Sequence, residues 1–144
     1  MRLAVGIGCD RGTPLDTLQQ ALDEALALVG ATVGDVTAVA SIDLKRDEAG
    51  LVALAETHRW DIAFYPAAEL AAVPVPHPSE TVRRHTGTPS VAEAAALLSA
   101  GAGMAHLIVE KHKLRGPDGR NATISIARIF NLDSSVDRSF GDLT

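Results

Sequence analysis

The segment LAVGIGCDRGTP, residues 3 to 14, constrains the fold more than any other part of this chain. Leu3 to Ile7 form a short apolar run of the kind that lies buried on both faces of a sheet. Gly6, Gly8 and Gly12 then strip the loop of side chains, and glycine lets a backbone turn sharply or approach another group closely. Thr13 and Pro14 read as a helix start, with threonine as N-cap and proline in the first helical position. A buried strand that passes through a bare turn straight into a helix commits the chain to β-α wrapping with right-handed crossovers.

The rest of the pattern extends that beginning. Leu15, Leu18, Leu22, Ala25, Leu26 and Val29 recur at helical spacing, and Gly30 supplies the stop. VTAVASI at 36–42 is rich in β-branched residues and reads as a second strand. Asp47 is placed to cap a helix carrying Leu51, Leu54, Ala55 and His58, and DIAFY at 61–65 is a third strand closed by Pro66. Pro74, Pro76, Pro78 and Pro89 mark 73–90 as a loop with one helical turn. Ser90 and Glu93 show the capping-box spacing ahead of a stripe of Val91, Ala94, Ala95 and Leu98. AHLIVEK at 105–111 and ATISIARI at 122–129 read as an antiparallel hairpin turning on Pro117, Asp118 and Gly119. The expectation is a three-layer α/β domain over residues 1–130. It has a mixed, mostly parallel sheet of about five strands, helices on both faces, and a polar tail at 131–144.

At 144 residues the chain suits one domain with a respectable core. A net charge of −5 argues against a nucleic-acid binder, which shows a basic surplus or stripe. The single cysteine, Cys9, excludes an intramolecular disulfide, and no Cys/His spacing reads as a zinc site, so neither metal nor cofactor is expected. No signal-peptide pattern and no apolar run of about 20 residues occurs. The expected address is the cytoplasm, with no membrane partner.

In open α/β sheets, ligands gather beyond the carboxyl ends of the strands. The glycine loop, SIDLKRDE and the proline-rich segment all fall at such ends. Backbone N–H groups from Gly8, Cys9, Gly12 and Thr13 at a helix N-terminus attract phosphate or carboxylate, and Arg11 would add a contact to the same anion. The same residues would equally serve a tight strand-to-helix turn, and the G-x-G-x-x-x-G spacing is neither a Rossmann nor a Walker fingerprint. Ser41, Asp43 and Lys45, two apart, would project to one side of an extended backbone and hold a polar ligand, or cap the next helix and pair with each other. Cys9 is either a nucleophile activated by the helix N-terminus or a small apolar residue. His106 reads as a satisfied core residue at a strand position. Arg83 and Arg84, beside Ser79, Glu80 and Gly87, make one basic group; Lys111, Lys113, Arg115 and Arg120 make another. In a net acidic chain such clustering points to a small anion.

The ordered blocks GIGCDRGTP, ASIDLKRDEAGL, PSETV, GTPSVAEAAAL and NATISIAR resemble the cobalamin-biosynthesis family that comprises CobE and the C-terminal domain of CbiG. The likeness runs from about residue 2 to about residue 130, and with the first strand following Met1 directly it is to the stand-alone, CobE-like form. The family loop commonly reads G-I-G-C-R-R-G; here Asp10 replaces the first arginine and removes one positive charge. The resemblance implies a corrinoid or precorrin partner, with other pathway enzymes as further partners, and a ligand set of Gly8, Cys9, Arg11, Gly12, Thr13, Ser41, Asp43, Lys45, Ser79, Glu80, Gly87 and Ser90. The expected function is binding of a carboxylate-rich corrin precursor, as a carrier or as the helper of a pathway enzyme. The alternative is hydrolysis of a lactone or acyl group on a precorrin, with Ser41, Asp43 or Glu80 as base or nucleophile, as CbiG opens its cobalt-precorrin lactone. A nucleotide-binding domain of flavodoxin type is the second alternative.

Overall fold

The computed structural model describes residues 1–76 and 91–129. Five strands form one sheet: β1 (Leu3–Cys9), β2 (Val36–Ile42), β3 (Ala63–Tyr65), β4 (Leu107–Arg115) and β5 (Asn121–Arg128). Among the described residues the helices are α1 (Leu15–Leu28), α2 (Ala49–His58), α3 (Ala67–Ala71) and α4 (Val91–Ala100), with short 3₁₀ turns at Val33–Asp35, Asp43–Lys45 and Met104–His106. The strand order is β3-β2-β1-β5-β4. β1 pairs parallel with β2, and β2 with β3; β5 is antiparallel to both β1 and β4. The sheet is therefore mixed, as expected: β5 alone runs against the other four strands, so the pairings divide evenly between parallel and antiparallel. The hairpin supplies both antiparallel pairs by inserting β5 beside β1.

Alternation along β1 builds the two faces. Leu3, Val5 and Ile7 join Ile124 and Ile126 of β5 under Leu18, Leu22 and Leu26 of α1 and Leu51 and Leu54 of α2, all at most 2% exposed. On the other face α4 packs with α3: Val91, Ala94 and Ala95 meet Ala40, Ile42 and Leu70, and Ala96 and Leu97 meet Ala127. Here the sheet offers small residues, so the helix backbone comes down close. A Cβ on Gly6 would collide with the Ala92 carbonyl and stand 2.7 Å from Ala96 N. Small side chains on both partners set that spacing.

The element ends differ in instructive ways. β1 runs to Cys9 because β5 pairs with it that far, through Cys9 opposite Ala122. Pro14, with φ −74° and ψ 160°, is the N-cap of α1, and Thr13 makes no cap; its hydroxyl instead donates to the Asp10 carbonyl at 2.7 Å. Glu48, not Asp47, is the N-cap residue of α2. β4 continues to Arg115, and the hairpin closes where Gly116 N–H donates to the Arg120 carbonyl at 2.8 Å. His106 sits half-buried in the 3₁₀ turn ahead of β4 rather than in the core of a strand. Of the expected loop over 73–90, residues 77–90 with the Ser90 cap lie outside the described residues, as does the tail at 131–144.

Candidate functional site

Cys9, Ile42 and Tyr65 end the three parallel strands at one edge of the sheet, and the β4–β5 hairpin turns at that same edge because Arg115 pairs with Asn121 and Ala122 with Cys9. The glycine loop is anchored there on three sides. Asp10 donates its N–H to the Asn121 carbonyl at 3.0 Å, while its carboxylate accepts from Asn121 N–H at 2.8 Å and from the Asn121 side-chain amide at 3.0 Å. Arg120 Nε donates to the Arg11 carbonyl at 2.9 Å. Asp10 thus fastens loop to hairpin.

The third anchor is Glu48. Its Oε1 accepts the Gly12 N–H at 3.0 Å and its Oε2 accepts Arg11 Nη1 at 2.9 Å. Gly12 presents that N–H from a positive φ of 78°, a conformation in which a side chain is strained. The anion in this loop is a carboxylate of the protein itself, 6% exposed, whereas the Arg11 side chain is 72% exposed. Sequence reasoning nominated Arg11 and Gly12 for an anion and passed over Glu48; the acid ending the run DLKRDE at a helix start was the available signal. Beside this contact lies a cleft of about 240 Å³ between Gly12–Leu15 and Glu48–Gly50.

The other nominated residues divide. Lys45, half-buried in the 3₁₀ turn, lies near enough to Cys9 for its charge to act on the thiol. Burial nonetheless pushes the Cys9 thiol from 9.0 up to about 11, with Glu48 and Asp10 adding to the rise against Lys45. At neutral pH it is a thiol and not the activated thiolate a nucleophile requires. Gly8 faces the start of α4, where a Cβ would rest in ordinary contact, 3.9 Å from both Thr123 and Val91. Ser41 is fully buried and donates its hydroxyl to the Ile7 carbonyl at 2.6 Å, so it crosslinks strands and does not line an open site. Asp43 and Lys45 occupy a 3₁₀ turn, so the common projection from an extended backbone does not form. Ser79, Glu80, Gly87 and Ser90 lie outside the described residues.

Around the hairpin, Lys113, Arg115 and Arg120 are exposed, and Arg120 Nη1 pairs with Asp118 at 3.2 Å. Lys111 Nζ lies 3.6 Å from Glu93 Oε1 across to α4. His112 Nε2 meets Glu24 Oε1 at 2.7 Å and, with Gln20, holds the Glu24 carboxyl below its ordinary 4.5. Among the described residues no three His, Cys, Asp or Glu side chains gather as a metal site, and no helix is long and apolar enough to cross a membrane.

These features define an open-sheet α/β domain with cationic side chains set around the carboxyl ends of its parallel strands. The chain belongs to the family described as cobalamin synthesis G C-terminus, whose model matches residues 3–127. It is 41% identical to Protein CobE of Sinorhizobium sp over 111 residues, 76% of this chain and 71% of that one. Its fold is similar to the crystal structure of CobE, a protein from the cobalamin (vitamin B12) biosynthetic pathway, with a TM-score of 0.77 and 38% identity over 90% of this chain and 94% of the other. It is also 35% identical over 127 residues to the cobalt-precorrin-5A hydrolase of Priestia megaterium, 88% of this chain but only 32% of that enzyme's length. The domain is a cobalamin biosynthesis protein of the CobE and CbiG C-terminal type.

Proposed function

We propose that this domain binds a carboxylate-rich corrin precursor at the carboxyl end of its sheet, as carrier or as helper of a pathway enzyme, without turning it over alone. The observation that carries the reading is the set of cations at one sheet end: Arg11 and Lys45 beside β1, and Arg115 and Arg120 on the hairpin. A flat ring fringed with acetates and propionates is a ligand that several separated cations hold better than one. The glycine loop contributes its shape and the exposed remainder of the Arg11 guanidinium, while Glu48 already takes the Gly12 N–H and Arg11 Nη1.

The second reading, hydrolysis of a precorrin lactone, is favoured by the match to one third of the cobalt-precorrin-5A hydrolase. Against it stand the bonded, buried hydroxyl of Ser41 and the un-ionised thiol of Cys9. Titration with metal-free and cobalt-containing corrinoids, followed by their visible absorption, tests the binding. Affinity is expected to fall with salt, because exposed ionic contacts are screened over about 8 Å at physiological ionic strength. Lys45→Ala and Arg11→Ala are expected to cost roughly 1–3 kcal/mol each. Incubation with a lactone-bearing precorrin, followed by mass, separates the readings: loss of a two-carbon fragment over many turnovers establishes the hydrolase.

A further inference from the structure

Glu93, the third residue of α4, is fully buried, and neither of its carboxylate oxygens has a hydrogen-bond partner. The Lys111 ammonium on β4 lies 3.6 Å from Oε1, close enough for charge attraction but too long for a hydrogen bond. The first turn of a helix also favours a negative charge. Charge is therefore compensated at this point while hydrogen bonding is not. A carboxylate offers about four acceptor sites, and leaving them empty inside a protein costs more than leaving a neutral group unmet. Folded proteins rarely keep such a group without a use for it. The capping-box role that the sequence suggested for Glu93 does not account for it, since its oxygens accept no hydrogen bond.

We propose that Glu93 is a ligand-binding residue: its carboxylate, beside Lys111 and at the start of α4, accepts an N–H or O–H donor that the ligand brings. The identity of that ligand rests on the corrin reading above; the claim about Glu93 rests on its burial and empty acceptors. On this account the domain recognises two chemistries. Cations at the sheet end hold the acidic side chains of the ring, and Glu93 selects a ligand that also presents a donor, such as a side-chain amide or a hydroxyl. A site whose buried polar group needs a partner rejects analogues that lack one, because the group then stays unpaired in the complex.

The test uses cobyrinic acid a,c-diamide, which carries both amides and carboxylates, as the probe. Its binding to the intact protein is compared with that of Glu93→Gln and of the double variant Glu93→Met/Lys111→Met, with the melting temperature of each measured alongside. The double variant replaces a poorly bonded charge pair by apolar side chains of similar size, a change that is often neutral or stabilising. Expected are a melting temperature at or above that of the parent and probe binding weaker by roughly 10- to 100-fold. Glu93→Gln keeps the side-chain shape and one acceptor, and is expected to fold and to bind with an intermediate loss. Unchanged affinity in both variants overturns the proposal. So does a marked fall in melting temperature of both, which would make the pair part of the scaffold. If the parent protein binds no corrinoid, the corrin reading falls by itself. The melting temperatures then decide on Glu93 alone, a rise supporting a carboxylate kept for an incoming donor and a fall overturning it.

Discussion

Glu48 and Glu93 are both buried carboxylates at helix starts, on opposite faces of the sheet, and they are treated in opposite ways. Glu48 is bonded through both oxygens, to the Gly12 N–H and to Arg11, and it joins the β1–α1 loop to α2. Glu93 accepts no hydrogen bond and has only the Lys111 ammonium within ion-pair range among the described residues. A backbone N–H offered from a left-handed glycine makes the first acid structural. On the second face the buried Ser125 hydroxyl of β5 is already donated to the Glu110 carbonyl, and the acid there stays unmet. One carboxylate completes the fold, and the other is carried by it.

The comparison depends on α4 being seated hard against β1, and the largest expected effect comes from breaking that contact. Gly6→Ala places a methyl group onto the Ala92 carbonyl, between two backbone segments that cannot move aside cheaply. Destabilisation of at least about 3 kcal/mol is expected, the upper end for overpacking, read as a lower midpoint in urea. Gly8→Ala meets only contacts of 3.9 Å and is expected to stay within about 1 kcal/mol of the parent. Equal effects at the two positions would show that α4 does not rest on Gly6.

Glu48→Ala comes next. It leaves the Gly12 N–H without its acceptor and Arg11 without its partner. A loss of about 1–3 kcal/mol is expected, the cost of an orphaned donor, with an unchanged denaturant slope. Removing Glu48 also vacates the acceptor position in the glycine loop. A sulfate or phosphate is therefore expected at Gly12 N–H in crystals of Glu48→Ala and not in those of the parent. An anion found there in the parent, with Glu48 turned away, would reverse the assignment of Glu48 as a structural group.

The alkaline limb of stability is a milder test of the same face. Cys9 ionises at about 11 in the folded protein against 9.0 ordinarily, because burial penalises the thiolate. A raised pKa contributes stability that is complete below pH 9.0 and is lost as pH rises toward 11. Unfolding midpoints are expected to decline across that window, and Cys9→Ala is expected to flatten the decline. A decline of equal slope in Cys9→Ala would assign it to other groups.

Sequence alone showed the order of strands and helices because the cues are local. Leu18, Leu22 and Ala25 mark the buried side of α1, and Gly30 ends it with a φ of 65°. Its failures occur where a distant part of the chain decides. β4 reads as ending at Lys111 because the residues after it are polar; pairing with β5 extends it to Arg115. Ser41 looks like a site residue at a strand end until the Ile7 carbonyl on the neighbouring strand takes its hydroxyl. The partnership of Glu48 with Gly12 and Arg11 crosses more than thirty residues of sequence. The emptiness of Glu93 is likewise a tertiary fact, and its sequence context suggested a cap instead.

The smallest expected effect also separates the two acids most cleanly. Cys9 lies in the field of Glu48, which raises its pKa after burial has done so and Lys45 has partly opposed it; Glu93 is not among the groups acting on it. Glu48→Gln removes one negative charge near the thiol while keeping the side-chain shape. The Cys9 pKa is expected to fall by a fraction of a unit, the scale of a partly screened charge at the edge of a protein. Glu93→Gln, on the opposite face, is expected to leave it unchanged. Thiol absorbance near 240 nm, followed from pH 8 to 12 in the parent and in both variants, measures the shift directly. A fall in Glu93→Gln equal to that in Glu48→Gln would mean that the two carboxylates share one electrostatic environment, and the contrast drawn between the two faces would then collapse.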